Sequence, residues 1–331
     1  MRNLSIGIDW QGAGDIDNAI EHAKIADDAG IDALFVPEAW GRDAFTILAV
    51  LARETRRIKL GTSIVNVYSR SPGALAQHFA TLDELSGGRM IIGLGTSGYR
   101  VIEHFHGIKF DLPLTRLREY VDIINMLMRQ EPLQYSGRIF NLERGFKLRF
   151  EPVRDHIPIW IASLTPKSVQ QTAKIADGWL PIFISKERWK DQLGGFFDAV
   201  KAAGRKPEDV TVRNPTGVSV TDDPDRTYAG LATNAAFYIA RMGDYYYEHF
   251  VRMGYRVEAD AVRKAWEEGG SAAGTAALAP ELVRQMGTAG PVELCIEALD
   301  AAEAAGFRSH SVSVAERDPQ KRAAIYRQLV G

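Results

Sequence analysis

The sequence predicts a single (β/α)8 TIM barrel over residues 1–331, with insertions at about 132–156 and 224–285. Three observations predict it. Strand-like and helix-like segments alternate from residue 4 onward, the alternation completes eight times, and no low-complexity linker or change in composition interrupts it.

Leu4–Asp9 reads as the first strand, and Ile16–Ala29 as a helix that stops at Gly30. Ile31–Val36, ended by Pro37, is the second strand, followed by a helix over Asp43–Glu54. Ile58–Val67 is the third strand. Pro72 sits near the start of the next helix, which runs to Leu85 and stops at Ser86-Gly87-Gly88. Arg89–Gly95 is the fourth strand. A loop, Tyr99–Phe110, leads to a helix over Leu114–Arg129, where Leu117, Val121, Ile124 and Leu127 recur at three- and four-residue spacing.

Tyr135–Phe140 then reads as a hairpin insertion, continued by Phe146–Phe150. Strand Ile157–Ala162, helix Lys167–Ala176, strand Gly178–Leu180, helix Lys186–Ala203 and strand Val210–Val220 resume the rhythm. Residues 224–285 hold several helical patterns and an Ala/Gly-rich loop, Gly269–Ala277. Helix Val292–Ala305, strand Ser311–Val314 and helix Pro319–Leu329 close the chain.

A doubly wound sheet is the alternative, because Gly93, Gly95 and Gly98 spell a dinucleotide fingerprint. That fingerprint belongs after the first strand, with an acidic residue about 20 positions on at a strand end. Here it follows the fourth strand, and the acidic candidate, Glu119, falls inside a helix.

Composition narrows the function. Hydrophobic residues make up 46% and charged residues 25%, ordinary for a globular protein with a large core. A formal net charge of -2 supplies no basic field for nucleic acid and no polybasic membrane anchor. No apolar run reaches the roughly 20 residues of a membrane span. The chain enters a strand at once, so no signal peptide and a cytoplasmic location are expected. Cys295, the one cysteine, lies in an amphipathic pattern over Val292–Ala302 and reads as a small core residue.

Barrels of this kind gather their chemistry at the C-terminal ends of the strands. That rule selects Asp9 and Trp10, Glu38 and Trp40, Ser63 to Tyr68, Gly95 to Gly98, Ala162 to Leu164, and Gly178 to Pro181. No metal is expected: His104 and His106 lack a third ligand and read as loop packing. Small, polar strand ends with Trp10, Trp40 and Trp179 nearby suit a flat, largely apolar ring, and core packing is the alternative for each tryptophan. At Ser163-Leu164-Thr165-Pro166-Lys167-Ser168 a polar turn opens a helix. Its free N–H groups and Lys167 suit a phosphate; a Ser/Thr N-cap beside a solvated lysine is the alternative.

Assembled, these blocks resemble the luciferase-like flavin and deazaflavin oxidoreductases, and most closely their coenzyme F420-dependent branch, which includes methylene-tetrahydromethanopterin reductase. The resemblance runs over about residues 4–185 and 290–315. Its most specific part is Leu60-Gly61-Thr62-Ser63-Ile64-Val65-Asn66-Val67-Tyr68-Ser69-Arg70-Ser71-Pro72. Thr81 to Arg89, Gly93 to Gly98, Ile157 to Ala162 and Ala176 to Pro181 follow in order.

The resemblance implies a barrel of the bacterial-luciferase type with F420 across its mouth and a non-prolyl cis peptide at Ser63-Ile64. It implies cofactor contacts at Asp9, Thr62, Ser63, Ile64, Asn66, Gly95, Thr96, Ser97, Gly98, Ala162, Ser163, Leu164 and Lys167. Trp10, Trp40 and Trp179 would line the substrate pocket. Asp9 and Glu38 would border ring and substrate, with Glu38 the candidate acid or base and a rim salt bridge, for instance to Arg42, its alternative. Hydride transfer to or from a small organic substrate by a homodimer is the implied activity. An FMN-dependent monooxygenase with a separate reductase and a non-catalytic flavin-binding relative are the alternatives. Sugar-phosphate dehydrogenases of the family carry an acidic residue followed by histidine at the second strand end; here Ala39 follows Glu38.

Overall fold

The computed structural model describes residues 1–8 and 14–331. Asp9 and Trp10, both nominated from the sequence, lie outside the described residues. Backbone packing separates two compact units: Ile6–Ala162 with Ile175–Trp179, and Met1–Ser5 with Ser163–Lys174 and Leu180–Gly331.

Strand β1 is Leu4–Gly7, β2 Ala33–Val36, β3 Lys59–Thr62, β4 Val65–Asn66, β5 Met90–Gly95, β6 Leu133–Ser136, β7 Asn141–Phe146, β8 Ile159–Ile161 and β9 Gly178–Trp179. In the first unit β2, β3, β5, β8 and β9 lie side by side and parallel, with β4 on β5. β2 and β5 are buried along their whole length, as strands covered on both faces are. The covering helices begin at side-chain caps: Asp43 accepts Thr46 N–H at 2.7 Å for Ala44–Glu54, and Ser71 accepts Ala74 N–H at 3.2 Å for Pro72–Ser86. Their apolar faces bring Leu48, Leu51 and Phe79 into a core with Leu34, Phe35 and Ile92.

The third strand, expected to run unbroken over 58–67, is two strands separated by Ser63 and Ile64, whose peptide bond is cis. Glu119, weighed above as a nucleotide ligand, is fully buried in the helix Pro113–Met128. Its carboxylate accepts the N–H groups of Arg138 (2.7 Å), Ile139 (3.1 Å) and Phe140 (3.0 Å), which anchors the β6–β7 hairpin.

In the second unit the strands are β10 Thr211–Val212, β11 Gly217–Val220, β12 Gly287–Gly290 and β13 His310–Val314. Leu4 and Ser5 pair with His310 and Ser311 of β13, β13 pairs with β11, and β11 with β12, all parallel. The expected strand 210–220 is interrupted where the Asn214 side chain takes the Thr216 N–H and hydroxyl. β12 was not expected: Gly-Thr-Ala-Gly has no apolar run, and only pairing with β11 makes it a strand.

The second insertion folds into helices Pro224–Arg241, Asp244–Arg252, Arg256–Ala276 and Pro280–Gln285. The Ala/Gly-rich segment expected as a loop continues the third of these across a kink at Gly270 (φ 70°), because alanine is the best helix former. Cys295 is buried, and burial pushes its thiol up to about 11. Among the described residues no helix is long and apolar enough to cross a membrane.

Two outcomes test this framework. Glu119→Ala strands three backbone donors, so the unfolding free energy read by urea titration should drop by roughly 3 kcal/mol; an unchanged midpoint would show that the hairpin is anchored elsewhere. His156 Nε2 stands 2.8 Å from Asp177 Oδ2, the oxygen that also accepts Ile159 N–H. That hydrogen bond raises the imidazole above its ordinary 6.5 although burial pulls it down. A raised value means the contribution is complete below the unfolded pKa and lost as pH climbs through the folded one. The thermal midpoint should therefore decline from neutral toward alkaline pH, and His156→Gln should flatten part of that decline.

Candidate functional site

The ends of β3 and β5 approach so closely that a Cβ on Gly93 would stand 1.7 Å from the Thr62 carbonyl oxygen. Thr62, fully buried, ties the two strands: its hydroxyl donates to Gly93 O at 2.7 Å and accepts Gly93 N–H at 3.0 Å. Two residues on, a Cβ at Gly95 would meet the Ile64 side chain at 2.9 Å and that of Ala162 at 3.6 Å. Glycine there lets Ile64, Gly95 and Ala162 meet. Ser63, Ile64, Thr96, Ser97 and Ala162 are half-buried.

Ser97 holds a left-handed backbone (φ 58°), and Gly98 begins the short helix Tyr99–His104. Asn66 is buried, and its side-chain oxygen accepts the N–H groups of Tyr68 (2.9 Å) and Ser69 (2.8 Å). Its amide nitrogen therefore faces His106 Nε2, 3.3 Å away, and donates to it. His106 is thus joined to the strand end through Asn66.

Glu38 is held on three sides. Its oxygens take Arg70 at 2.5 and 3.1 Å and the Ala44 N–H at 2.9 Å. Arg70 also reaches Asp43 at 2.5 Å and lies 4.6 Å from the Phe45 ring centroid. Burial works to raise Asp43, but the Thr46 hydroxyl and amide and the charge of Arg70 outweigh it and leave its carboxyl below the ordinary value. Tyr120 donates to Arg70 O at 2.7 Å and fixes the backbone of that arginine. The partner of Glu38 is thus Arg70, which the sequence reading quoted without assigning a role; only folding brings the two strand ends together. Trp40 is 52% exposed and Trp179 is 2% exposed, so Trp179 sits in the core.

In the second unit Ser163 is buried and accepts the Thr172 hydroxyl at 2.9 Å. Thr165 and Ser168 cap each other, with N–H to hydroxyl distances of 3.0 and 3.2 Å, at the start of the helix Pro166–Ile175. Leu164 O accepts Arg252 at 3.3 Å, and Lys167 is exposed. Elsewhere in this unit a cavity of about 120 Å³ is lined by Ser219, Tyr228, Thr288 and neighbours. It contains none of the nominated residues and is smaller than the roughly 300–1,000 Å³ of ligand pockets.

A mostly parallel sheet with small residues and a broken strand at its C-terminal ends defines the class, and comparison with known proteins defines the family. Residues 5–309 match the luciferase-like monooxygenase family, and the chain belongs to it. It is 35% identical over 324 residues, 92% of each chain, to a Mycobacterium tuberculosis protein named as a coenzyme F420-dependent oxidoreductase. It is 38% identical over 160 residues, 48% of this chain and 47% of the other, to 5,10-methylenetetrahydromethanopterin reductase of Archaeoglobus fulgidus. The solved structure of the F420-dependent tetrahydromethanopterin reductase of Methanopyrus kandleri superposes with a TM-score of 0.83 at 21% identity, over 99% of this chain and 97% of that one. The chain therefore has the TIM-barrel fold of that family.

The Ser97 turn can be tested apart from any ligand. Ser97→Gly should leave stability within about 1 kcal/mol, since glycine tolerates positive φ but frees the unfolded chain. Ser97→Val should cost roughly 1–2 kcal/mol in the same denaturation assay. Equal stabilities for the two variants would reject the left-handed turn.

Proposed function

We propose that the chain is an F420-dependent oxidoreductase that transfers hydride between the deazaflavin and a small organic substrate. The identity of 35% over 92% of both chains to an F420-dependent oxidoreductase carries this reading. The small-residue strand ends of the first unit support it: Gly95 leaves room where a side chain would collide with Ile64.

Bound F420 would supply a ring carbon that gives or accepts hydride. The residues of the chain do the rest. Ile64, Gly95 and Ala162 offer an apolar floor for a flat ring and keep water from it. Thr96, Ser97 and Gly98 offer hydroxyl and backbone donors to the polar part of the cofactor. Thr62 and Asn66, both engaged with neighbouring backbone, support that floor from behind. Glu38 was nominated as the acid or base. With its oxygens occupied by Arg70 and the Ala44 N–H, we assign it to holding Arg70 in place. Asp9, nominated beside the ring, lies outside the described residues and is given no role here. A cytoplasmic homodimer belongs to the same reading.

Titration of the purified protein with oxidised F420 and with FMN tests the proposal. F420 should bind, and Ser97→Gly should weaken it about tenfold by removing one hydrogen bond to a charged group. Tight binding of FMN without F420 would overturn the reading in favour of a monooxygenase. Binding of neither would favour a non-catalytic relative.

A further inference from the structure

The second unit holds a cavity of about 120 Å³ that the reading above does not use. One wall is β11 and β12, and the other is the first two turns of the helix Pro224–Arg241. Glycine keeps the strand wall low: Gly217 and Gly287 pair across the ladder, and a Cβ on Gly287 would stand 2.8 Å from the Leu231 side chain. Tyr228, on the helix, is fixed from two sides. Its hydroxyl oxygen accepts the Ala289 N–H at 3.1 Å, and the Arg284 guanidinium lies 4.7 Å from its ring centroid.

Two hydroxyls on this cavity have hydrogen bonds to spare. The Tyr228 proton meets no acceptor among the described residues. Thr288 is 7% exposed, and its hydroxyl has no hydrogen-bond partner among the described residues. That oxygen is not sealed by protein atoms either, so it opens on the space that Thr288 lines. The two groups lie together, because the Ala289 nitrogen that Tyr228 holds is bonded to the Thr288 carbonyl carbon. The cations nearby are engaged elsewhere: Lys186 Nζ donates to Arg284 O and Gly287 O at 3.0 Å each, and Arg284 covers the Tyr228 ring. Among the described residues no charged side chain lines the cavity, while Leu231 and Met286 supply apolar surface. A charged ligand would be desolvated there without a counterion, whereas a neutral oxygen would find hydroxyl donors. Size narrows the ligand further, because a cavity of roughly 150 Å³ holds benzene.

We propose that this cavity binds a neutral carbonyl compound of about six heavy atoms, whose oxygen accepts the Tyr228 proton, with the Thr288 hydroxyl as second donor. The site stands whether or not the chain binds F420.

Ligand-observed NMR titration of the full-length, cofactor-free protein with cyclopentanone, its hydrocarbon isostere methylenecyclopentane and isobutyrate tests it. Cyclopentanone should bind about tenfold tighter than methylenecyclopentane, the worth of roughly one good hydrogen bond, and tighter than isobutyrate. Thr288→Val breaks no hydrogen bond of the free protein, and it should weaken cyclopentanone about threefold or more while methylenecyclopentane is unchanged. Leu231→Phe should fill the space and abolish binding of both, with far-UV circular dichroism matching wild type. Should Leu231→Phe fail to fold, Thr288→Val decides alone. Cyclopentanone binding at wild-type strength in either folded variant overturns the proposal, as does equal or absent binding of cyclopentanone and methylenecyclopentane by wild type. Isobutyrate as the tightest of the three overturns it as well.

Discussion

The candidate cofactor site depends on how closely β3 and β5 approach at Thr62 and Gly93. No side chain fits at Gly93, since its Cβ would lie 1.7 Å from a backbone oxygen. The Thr62 hydroxyl then makes both bonds that an ordinary strand ladder would have made with the Gly93 backbone. Because β3 stops there, Ser63 and Ile64 leave the ladder before β4 rejoins it, and Ile64 comes against Gly95. The half-buried residues at the mouth follow from that departure.

Charge is used in the same unit mainly to fix chain segments. Glu119 spends its carboxylate on three backbone donors, and Glu38 spends its own on Arg70 and the first turn of a helix. Buried carboxylates left alone would be expensive, whereas here each collects several charge-assisted hydrogen bonds. A carboxylate so occupied is a weak candidate for moving protons.

Much of the fold was legible from local pattern. Ile16–Ala29 and Val292–Ala305 were readable as helices that stop at Gly30 and Gly306, and Leu114–Arg129 from its apolar residues at three- and four-residue spacing. The core role of Cys295 followed from the same periodicity. The family was legible in blocks such as Leu60–Pro72, and the match over residues 5–309 bears it out. Less visible was β12, whose Gly-Thr-Ala-Gly has no strand signal of its own. The Gly269–Ala277 segment misled in the other direction, since its glycines suggested a loop while its alanines continued a helix.

By itself the sequence determined the alternation of elements and the family, because periodicity, caps and glycine spacing are local properties. It also singled out Gly93 and Gly95, though not the reason for them. Only the tertiary structure decided that Gly93 yields to Thr62, that Arg70 rather than a chain neighbour holds Glu38, and that Tyr228 meets Ala289. Those are contacts between residues 31 to 61 positions apart. No local pattern encodes them, and they exist only once separate elements have packed.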